Sequence, residues 1–486
     1  MGWFAALVLA LALGVMGCSE AAGTGGAGGM AGNGGAGGVA GVGGDGGMAG
    51  NGGAGGVAGS SGTGGSMSGV FPCTEQGIRD AVSVGGGPHT FDCNGPAVVT
   101  TQAEIVIDND VILDGEGDLT VDAPLCGRFL GDPPLSLPCH RLISVTSGTT
   151  AELIGMTVAQ GCTDLGDGSG ILNLGTLRLR ETRVADNGWM HEWSELCDYS
   201  PCGNGGGVYN GGILTLTDSS VSSNVARDDG GGIYNAGTVT LIRSIVSNNA
   251  SLSGAAIRNT GSLTILDSSV SENDATSLIC RIPCEQGDVL SSTGSVLMIN
   301  STVSNNSANC VNSWIIWGSG TLVNSTISDN RAETFNGFHL LWDGDVISST
   351  IAGENAAQAY TPLIGGSVRL TNSVIANSAL DPGPTCSSSS SGESSGGNVE
   401  SPGDDCGLND PTDQVNVSAD DLKLGPLADN GGPTETHALL PGSVAIDQIP
   451  AVDCVDTEGE PLTTDQRGEP RPGGTMCDVG AFEVQP

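Results

Sequence analysis

Between Ser169 and Asn377 the chain repeats itself about every 24 residues, and no other feature restricts its fold so tightly. Two adjacent copies show the unit: Gly206-Gly-Val-Tyr-Asn210 with Ser219-Ser-Val-Ser-Ser-Asn224, then Gly231-Gly-Ile-Tyr-Asn235 with Ser244-Ile-Val-Ser-Asn-Asn249. Aligned on one apolar position, the copies fall at Val158, Val184, Val221, Val246, Val270, Val303, Ile327, Ile351 and Ile375, with spacings of 26, 37, 25, 24, 33, 24, 24 and 24. A period in this range marks a solenoid, because one unit cannot bury its own apolar face and must stack on the next.

Within a period, Leu214-Thr-Leu-Thr217, Val239-Thr-Leu241 and Leu263-Thr-Ile265 alternate apolar and polar residues, the signature of strands with one buried face. No long stretch has a helical period. Short strands, Gly/Asn/Asp/Ser turns and 24 residues per unit predict an all-β chain: a right-handed, single-stranded parallel β-helix whose coils stack about 4.8 Å apart. Stacking predicts columns. A hydroxyl column runs Thr182, Ser219, Ser244, Ser268, Ser301, Ser325, Ser349, Ser373; one Asn column runs Asn187, Asn224, Asn249, Asn273, Asn306, Asn330, and another Asn173, Asn210, Asn235, Asn259. Asn tolerates left-handed backbone and bonds its own turn, and stacked amides bond one another. These columns are expected to be scaffold.

The start of the chain has the form of an export signal. Residues 3–17 are apolar and Leu13-Gly-Val-Met-Gly17 precedes Cys18, resembling a bacterial lipobox, so residues 1–17 are expected to be removed and Cys18 lipidated. Several acyl chains on one residue would hold the protein to a lipid membrane. Residues 18–69 then read as anchor and Gly/Ala tether, spanning roughly 40 Å root-mean-square as flexible coil. Fourteen cysteines besides Cys18 fit an exported chain. Close neighbours suggest six disulfides: Cys73 with Cys93, Cys126 with Cys139, Cys197 with Cys202, Cys280 with Cys284, Cys386 with Cys406, and Cys454 with Cys477; Cys162 and Cys310 are left over. A net charge of −39 with a single lysine excludes nucleic acid as a partner. Acidic turns at Asp108-Asn-Asp110, Asp164…Asp167 and Asp228-Asp229 offer oxygens to Ca²⁺, yet none has the spacing of a dedicated calcium loop.

Cys73-Thr-Glu-Gln-Gly-Ile-Arg79 through Phe91-Asp-Cys93, with Ile105-Val-Ile-Asp-Asn-Asp-Val-Ile-Leu-Asp-Gly115, resembles the N-terminal cap and first coils of bacterial right-handed β-helix proteins. Leu424-Gly-Pro-Leu-Ala-Asp-Asn-Gly-Gly-Pro433 through Asp447, Thr464-Asp-Gln-Arg-Gly468 and Cys477-Asp-Val-Gly-Ala-Phe-Glu483 resemble the choice-of-anchor Q domain. The resemblance implies a pectin-lyase-like solenoid on a surface-anchored protein. The expected divisions are cap and first coils at 70–141, repeats at 142–380, a Ser/Asp-rich insertion at 381–423 and a C-terminal cap at 424–486. Asp465, Arg467 and Asp478 are expected to form a buried network closing that cap, stapled by Cys454 and Cys477.

Polysaccharide lyases and hydrolases use such folds, and hydrolysis needs two converging carboxylates. No predicted column stacks carboxylates on neighbouring coils. The column Arg178, Thr215, Thr240, Thr264, Leu297, Thr321, Asp345, Arg369 instead sets an ion pair between adjacent coils. Aromatic residues carry more signal. Trp314 and Phe338 are 24 apart and Trp317 and Trp342 are 25 apart, so each pair should nearly overlay, with His339, Asp343 and Arg369 nearby. They form either a sugar platform or an aromatic plug in the core. The long spacings mark insertions after Asn187, Asn273 and Asn377, the first carrying Trp189 and Trp193; leaving from one corner, they line one edge, as binding loops or as tolerated additions. Three readings follow: a non-catalytic adhesion or glycan-recognition lipoprotein of the cell envelope, a polysaccharide lyase or glycoside hydrolase, or a passive envelope component.

Overall fold

The computed structural model describes residues 68–124, 140–163, 166–188, 203–275, 286–310, 312–332, 337–353, 362–377, 384–387 and 392–486, with the backbone of a short hairpin at Arg128–Phe129 and Leu135–Ser136. Cys18, the tether, Trp189 and Trp193 lie outside the described residues. So do three of the expected disulfides: that of Cys126 with Cys139, that of Cys197 with Cys202, and that of Cys280 with Cys284.

One large parallel sheet winds into a solenoid, so the chain is a parallel β-helix. Each coil contributes to three ladders. The first carries Ile171, Val208, Ile233, Ile257, Leu290, Ile316, Leu340 and Ile364 on its inner face. The second carries Leu177, Leu214, Val239, Leu263 and Val296, and the third Val184, Val221, Val246, Val270, Val303, Ile327, Ile351 and Ile375. These side chains are buried and merge into one continuous apolar core. Every connection returns to a parallel strand, the crossover whose preferred hand is right.

Two single left-handed residues per coil make the corners. One precedes the hydroxyl column (Asp218, Arg243, Asp267, Asn300, Asn324), and the other precedes the long Asn column (Asp186, Ser223, Asn248, Glu272, Asn305, Asp329). The column asparagines are thus not themselves the left-handed residues. They point inward and tie coil to coil: Asn224 donates its amide to Asn249 at 3.0 Å and to the Val184 carbonyl at 3.0 Å, while its own backbone N–H reaches Asn249 Oδ1 at 3.0 Å. The hydroxyl column repeats the device, Ser219 N–H donating to Ser244 Oγ at 3.2 Å and Ser244 N–H to Ser268 Oγ at 3.0 Å. Buried polar groups left unmade would each cost about 1–3 kcal/mol, so the ladders hold the solenoid in register.

At the N-terminal end the helix Glu75–Val84, capped by Thr74, covers the first coil with Ile78, Ala81 and Val82, and the Cys73–Cys93 disulfide fastens it. The other end departs from expectation. Glu400 stands in register beneath Ile375, where the core column calls for an apolar residue. Its buried carboxylate accepts from the Thr385 hydroxyl and, at 2.8 Å, from the Asp405 N–H, and the Cys386–Cys406 disulfide closes the turn around it. Burial pushes the Glu400 carboxyl up.

Residues 424–486 do not form the plug of that end. They lie along the flank, over the outer face of the third ladder on the coils of Thr302, Thr326, Thr350 and Val374. A second apolar core fills this seam, built from Val374, Val399, Leu422, Leu439, Ile449 and Val479. Gln466 accepts from Thr326 Oγ1 at 2.6 Å and donates to Thr302 Oγ1 at 2.7 Å, His437 meets Ser328 Oγ at 2.8 Å, and the Ala481 N–H reaches Thr350 Oγ1 at 3.1 Å. Two of the three residues expected to form a buried network pair with each other, whereas Asp478 instead accepts the backbone N–H groups of Asp447 at 2.7 Å and Val484 at 2.6 Å. Asp465 pairs with Arg467 at 2.7 Å, the Arg467 guanidinium lies 3.6 Å from the Phe482 ring centre, and Cys454 is bonded to Cys477. Arg471 and Glu483, neither of which the sequence reading placed in that network, form its most buried pair at 3.1 Å. Cys162 and Cys310 are disulfide-bonded as well.

Candidate functional site

The outward column of the first ladder gathers several aromatic residues on one strip. In register it reads Leu172, Tyr209, Tyr234, Arg258, Ser291, Trp317, Leu341. Alternation forces this: each Tyr sits between a core residue (Val208, Ile233) and a column asparagine (Asn210, Asn235), so its ring must face out. Tyr209 and Tyr234 stack with ring centres 5.1 Å apart and planes 6° off parallel, one ring per coil. Ser291 is too small to continue the stack. Arg258 fills the gap, donating to Ser291 Oγ and placing its guanidinium carbon 6.0 Å from the Trp317 ring centre. Trp314, earlier on the same strand, lies 5.9 Å from Trp317 and is in register with Phe338.

Carboxylates border the Tyr end. Asp229 lies 3.7 Å from Arg258, and Asp228 is its chain neighbour. Burial raises both carboxyls above their ordinary range; Arg258 opposes the shift at Asp229 and Arg227 opposes it at Asp228, while nearby Asp167 adds to it at Asp228. Burial also raises the Tyr234 phenol. The oxygens of these turns already have partners of their own. Asp167 Oδ1 accepts the Asn204 N–H at 2.9 Å, Asp110 Oδ1 accepts the Thr150 N–H at 2.7 Å, and a guanidinium already supplies Asp229 with positive charge. Among the described residues no group of three His, Cys, Asp or Glu is placed to hold a metal ion.

The other residues singled out from the sequence do not converge on this strip. Trp342 is in register with Gly318, not Trp317, and that one-residue slip turns it inward. It occupies the corner where the inner column Asn173, Asn210, Asn235, Asn259 gives way to Ser292 and then Gly318, so a large ring fills the space the small residues vacate. Its indole Nε1 has no hydrogen-bond partner among the described residues. His339 is also buried, and burial lowers its pKa to about 4, so the ring is neutral near pH 7. Asp343 accepts the Ser367 N–H at 2.9 Å at a corner. Arg369 stands on the second ladder, bonded to Asp345 at 2.9 Å and Glu393 at 3.3 Å, which gives the expected ion pair a third member. Sequence reasoning missed Tyr209, Tyr234 and Arg258 as surface groups. The signal was the recurring Tyr between an apolar residue and Asn.

The excursions from the repeat all leave after the same corner, at Gly188, after Ala275 and after Asn377. That corner precedes the first ladder, so the first two excursions leave and rejoin beside the aromatic strip, and the third rejoins at the coil of Cys386, beyond its end.

No family model and no curated protein matches this chain. Among solved structures it is similar to the crystal structure of pectate lyase Pel9A, at 13% identity and a TM-score of 0.40, covering 86% of this chain and 96% of that one. The fold rests on this chain's own ladders.

Proposed function

We propose that this protein is a surface-anchored β-helix lipoprotein that recognises glycan without turning it over, as an adhesin does, and that the ligand lies along the outer face of the first ladder. The observation that carries the reading is the column Tyr209, Tyr234, Arg258, Trp317, with Trp314 beside it: ring edges, hydroxyls and a guanidinium presented at coil spacing from a rigid scaffold. Amphipathic rings meet the mixed polar and apolar faces of sugars at small entropic cost. Cys18 would tie the chain to the membrane by acylation, with residues 18–69 as spacer and the choice-of-anchor Q region as the flank module.

A second reading is favoured by one feature. The raised carboxyls of Asp228 and Asp229 beside Arg258 and Tyr234 are the kind of perturbed groups that acid–base chemistry uses. The two readings separate on a panel of neutral and acidic polysaccharides. Retention that falls at least tenfold in Trp317→Ala and Tyr234→Ala, without product, supports recognition. Ultraviolet-absorbing unsaturated ends or new reducing ends, lost in Asp229→Asn, would establish a lyase or hydrolase instead. Absence of both retention and turnover would leave a passive envelope role.

A further inference from the structure

The outer face of the second ladder carries a charge pattern that is complementary to itself. Over five successive coils its three outward positions are Ile213, Thr215, Thr217; Thr238, Thr240, Ile242; Ser262, Thr264, Leu266; Ser295, Leu297, Ile299; and Ser319, Thr321, Val323. None is charged, in a chain whose net charge is −39. Ile213 and Leu297 are exposed apolar residues on it. The charges begin where this patch stops, and they begin in a definite order. Along the central column, going outward from Thr264, one direction reaches Arg178 and then Glu152, and the other reaches Asp345 and then Arg369.

Counting coils from Thr264 gives the symmetry. Arg178 is three coils before it and Asp345 three after; Glu152 is four before and Arg369 four after. A two-fold axis in the plane of the face, parallel to the strands and passing by Thr264, reverses coil order between copies. Arg178 of each copy then meets Asp345 of the other, and Glu152 meets Arg369. Arg178 is exposed and has no ion pair with any described residue of its own chain.

We infer that the second-ladder face pairs with a second copy of this chain, sheet on sheet, with the two solenoids antiparallel. Flat sheets of Thr and aliphatic residues pack about 10 Å apart in this way. An isologous contact requires that one patch serve both partners, and the arrangement of signs meets that requirement. Like charge would oppose most other approaches between two such acidic chains; the five central coils of this face carry no carboxylate, and Asp345 and Glu152 beyond them each stand opposite an arginine. Asp267, at the rim of the central coil, would face its own copy, but at an exposed edge where salt screens it. Seven coils span about 34 Å and five-residue strands about 17 Å, at most roughly 570 Å² a side, and less where Val323 and Ile347 are already buried at the edge held by the C-terminal segment, which puts the contact at the small end of specific interfaces. A reversible dimer is therefore expected. Because the described chain begins at one end of the solenoid, antiparallel pairing sets the two starts at opposite ends.

Sedimentation velocity on the secreted full chain carrying Cys18→Ser, so that no lipid drives association, tests this over roughly 1–200 μM, the range suited to a small interface. A monomer–dimer equilibrium is expected. Thr264→Arg, which places two like charges on the axis, should weaken dimerisation at least tenfold, and Arg178→Asp should weaken it less. Arg178→Asp combined with Asp345→Arg should recover affinity relative to Arg178→Asp alone, in variants whose circular dichroism and melting show an intact fold. A monomer throughout the range, a dimer untouched by Thr264→Arg, or a failure of the paired swap to recover affinity in a folded protein would overturn the proposal. None of these results depends on glycan retention, so failure here and failure of the glycan reading are told apart.

Discussion

The outer face of the third ladder meets two different fates along one solenoid. In the upper coils it is open, and Ile245 is 48% exposed; in the lower coils the C-terminal module covers it, and Thr302, in the same column, is 1% exposed. An isoleucine lies in water and a threonine is buried, the reverse of what hydropathy alone would assign. The period sets which side chains point outward. It does not set whether outward means wet, because that depends on what else packs there. The buried hydroxyls are tolerated because each has a partner: Thr302 and Thr326 bond Gln466, and Thr350 accepts from Ala481.

The contrast can be broken most sharply at Arg471. Its guanidinium pairs with Glu483, donates to Asn324 Oδ1 at 2.8 Å and to the Gly480 carbonyl at 2.8 Å, all buried. Arg471→Ala leaves Glu483 buried and unpaired, a loss of about 3–5 kcal/mol. Hydrogen exchange should then show lost protection at 302–304, 326–328 and 350–352 with the strand at 245–247 unchanged; equal loss in both regions would mean that the module does not act locally. A smaller effect comes from Asp478, whose carboxyl burial lifts to about 6. The folded state binds its proton more tightly than the unfolded chain, so this stabilisation is present at about pH 4 and lost as pH rises through about 6, on the order of 2 kcal/mol. Asp478→Asn should flatten that slope in melts taken between those values.

Thr326→Val removes the hydroxyl that donates to Gln466 and leaves its buried oxygen without that donor, a cost of about 1–2 kcal/mol read by denaturant unfolding. The matching change on the open side, Ile245→Thr, should stay within about 0.5 kcal/mol, as surface substitutions do. If the two cost the same, the covered and open regions are not energetically distinct.

Much of the scaffold was legible in the sequence. The Val/Ile column, the hydroxyl and Asn columns, and the disulfides of Cys73 with Cys93, Cys386 with Cys406 and Cys454 with Cys477 all stand where spacing put them. The aromatic residues were legible only in part. Trp314 and Phe338, spaced by one period, are in register, while Trp317 and Trp342, spaced by one residue more, face opposite ways. A strand alternates with every residue, so an error of one in register exchanges core for surface. Tyr209 and Tyr234 were in plain view within the repeat, but their meaning as a surface stack depends on Arg258 and Trp317 completing the column from coils whose sequences share little with theirs.

By itself the sequence determined a coiled, parallel β architecture, because a repeat that alternates at period two and returns every 24 residues has few other ways to bury its apolar face. Tertiary structure alone decided where the C-terminal segment docks, that Glu400 rather than an apolar residue ends the core column, and that Trp342 turns inward. Repeats fix contacts between neighbours one coil apart. Docking depends on residues more than a hundred positions away, as with Gln466 and Thr302, while end closure and the space Trp342 fills arise where coils depart from the repeat, and the repeat pattern encodes neither.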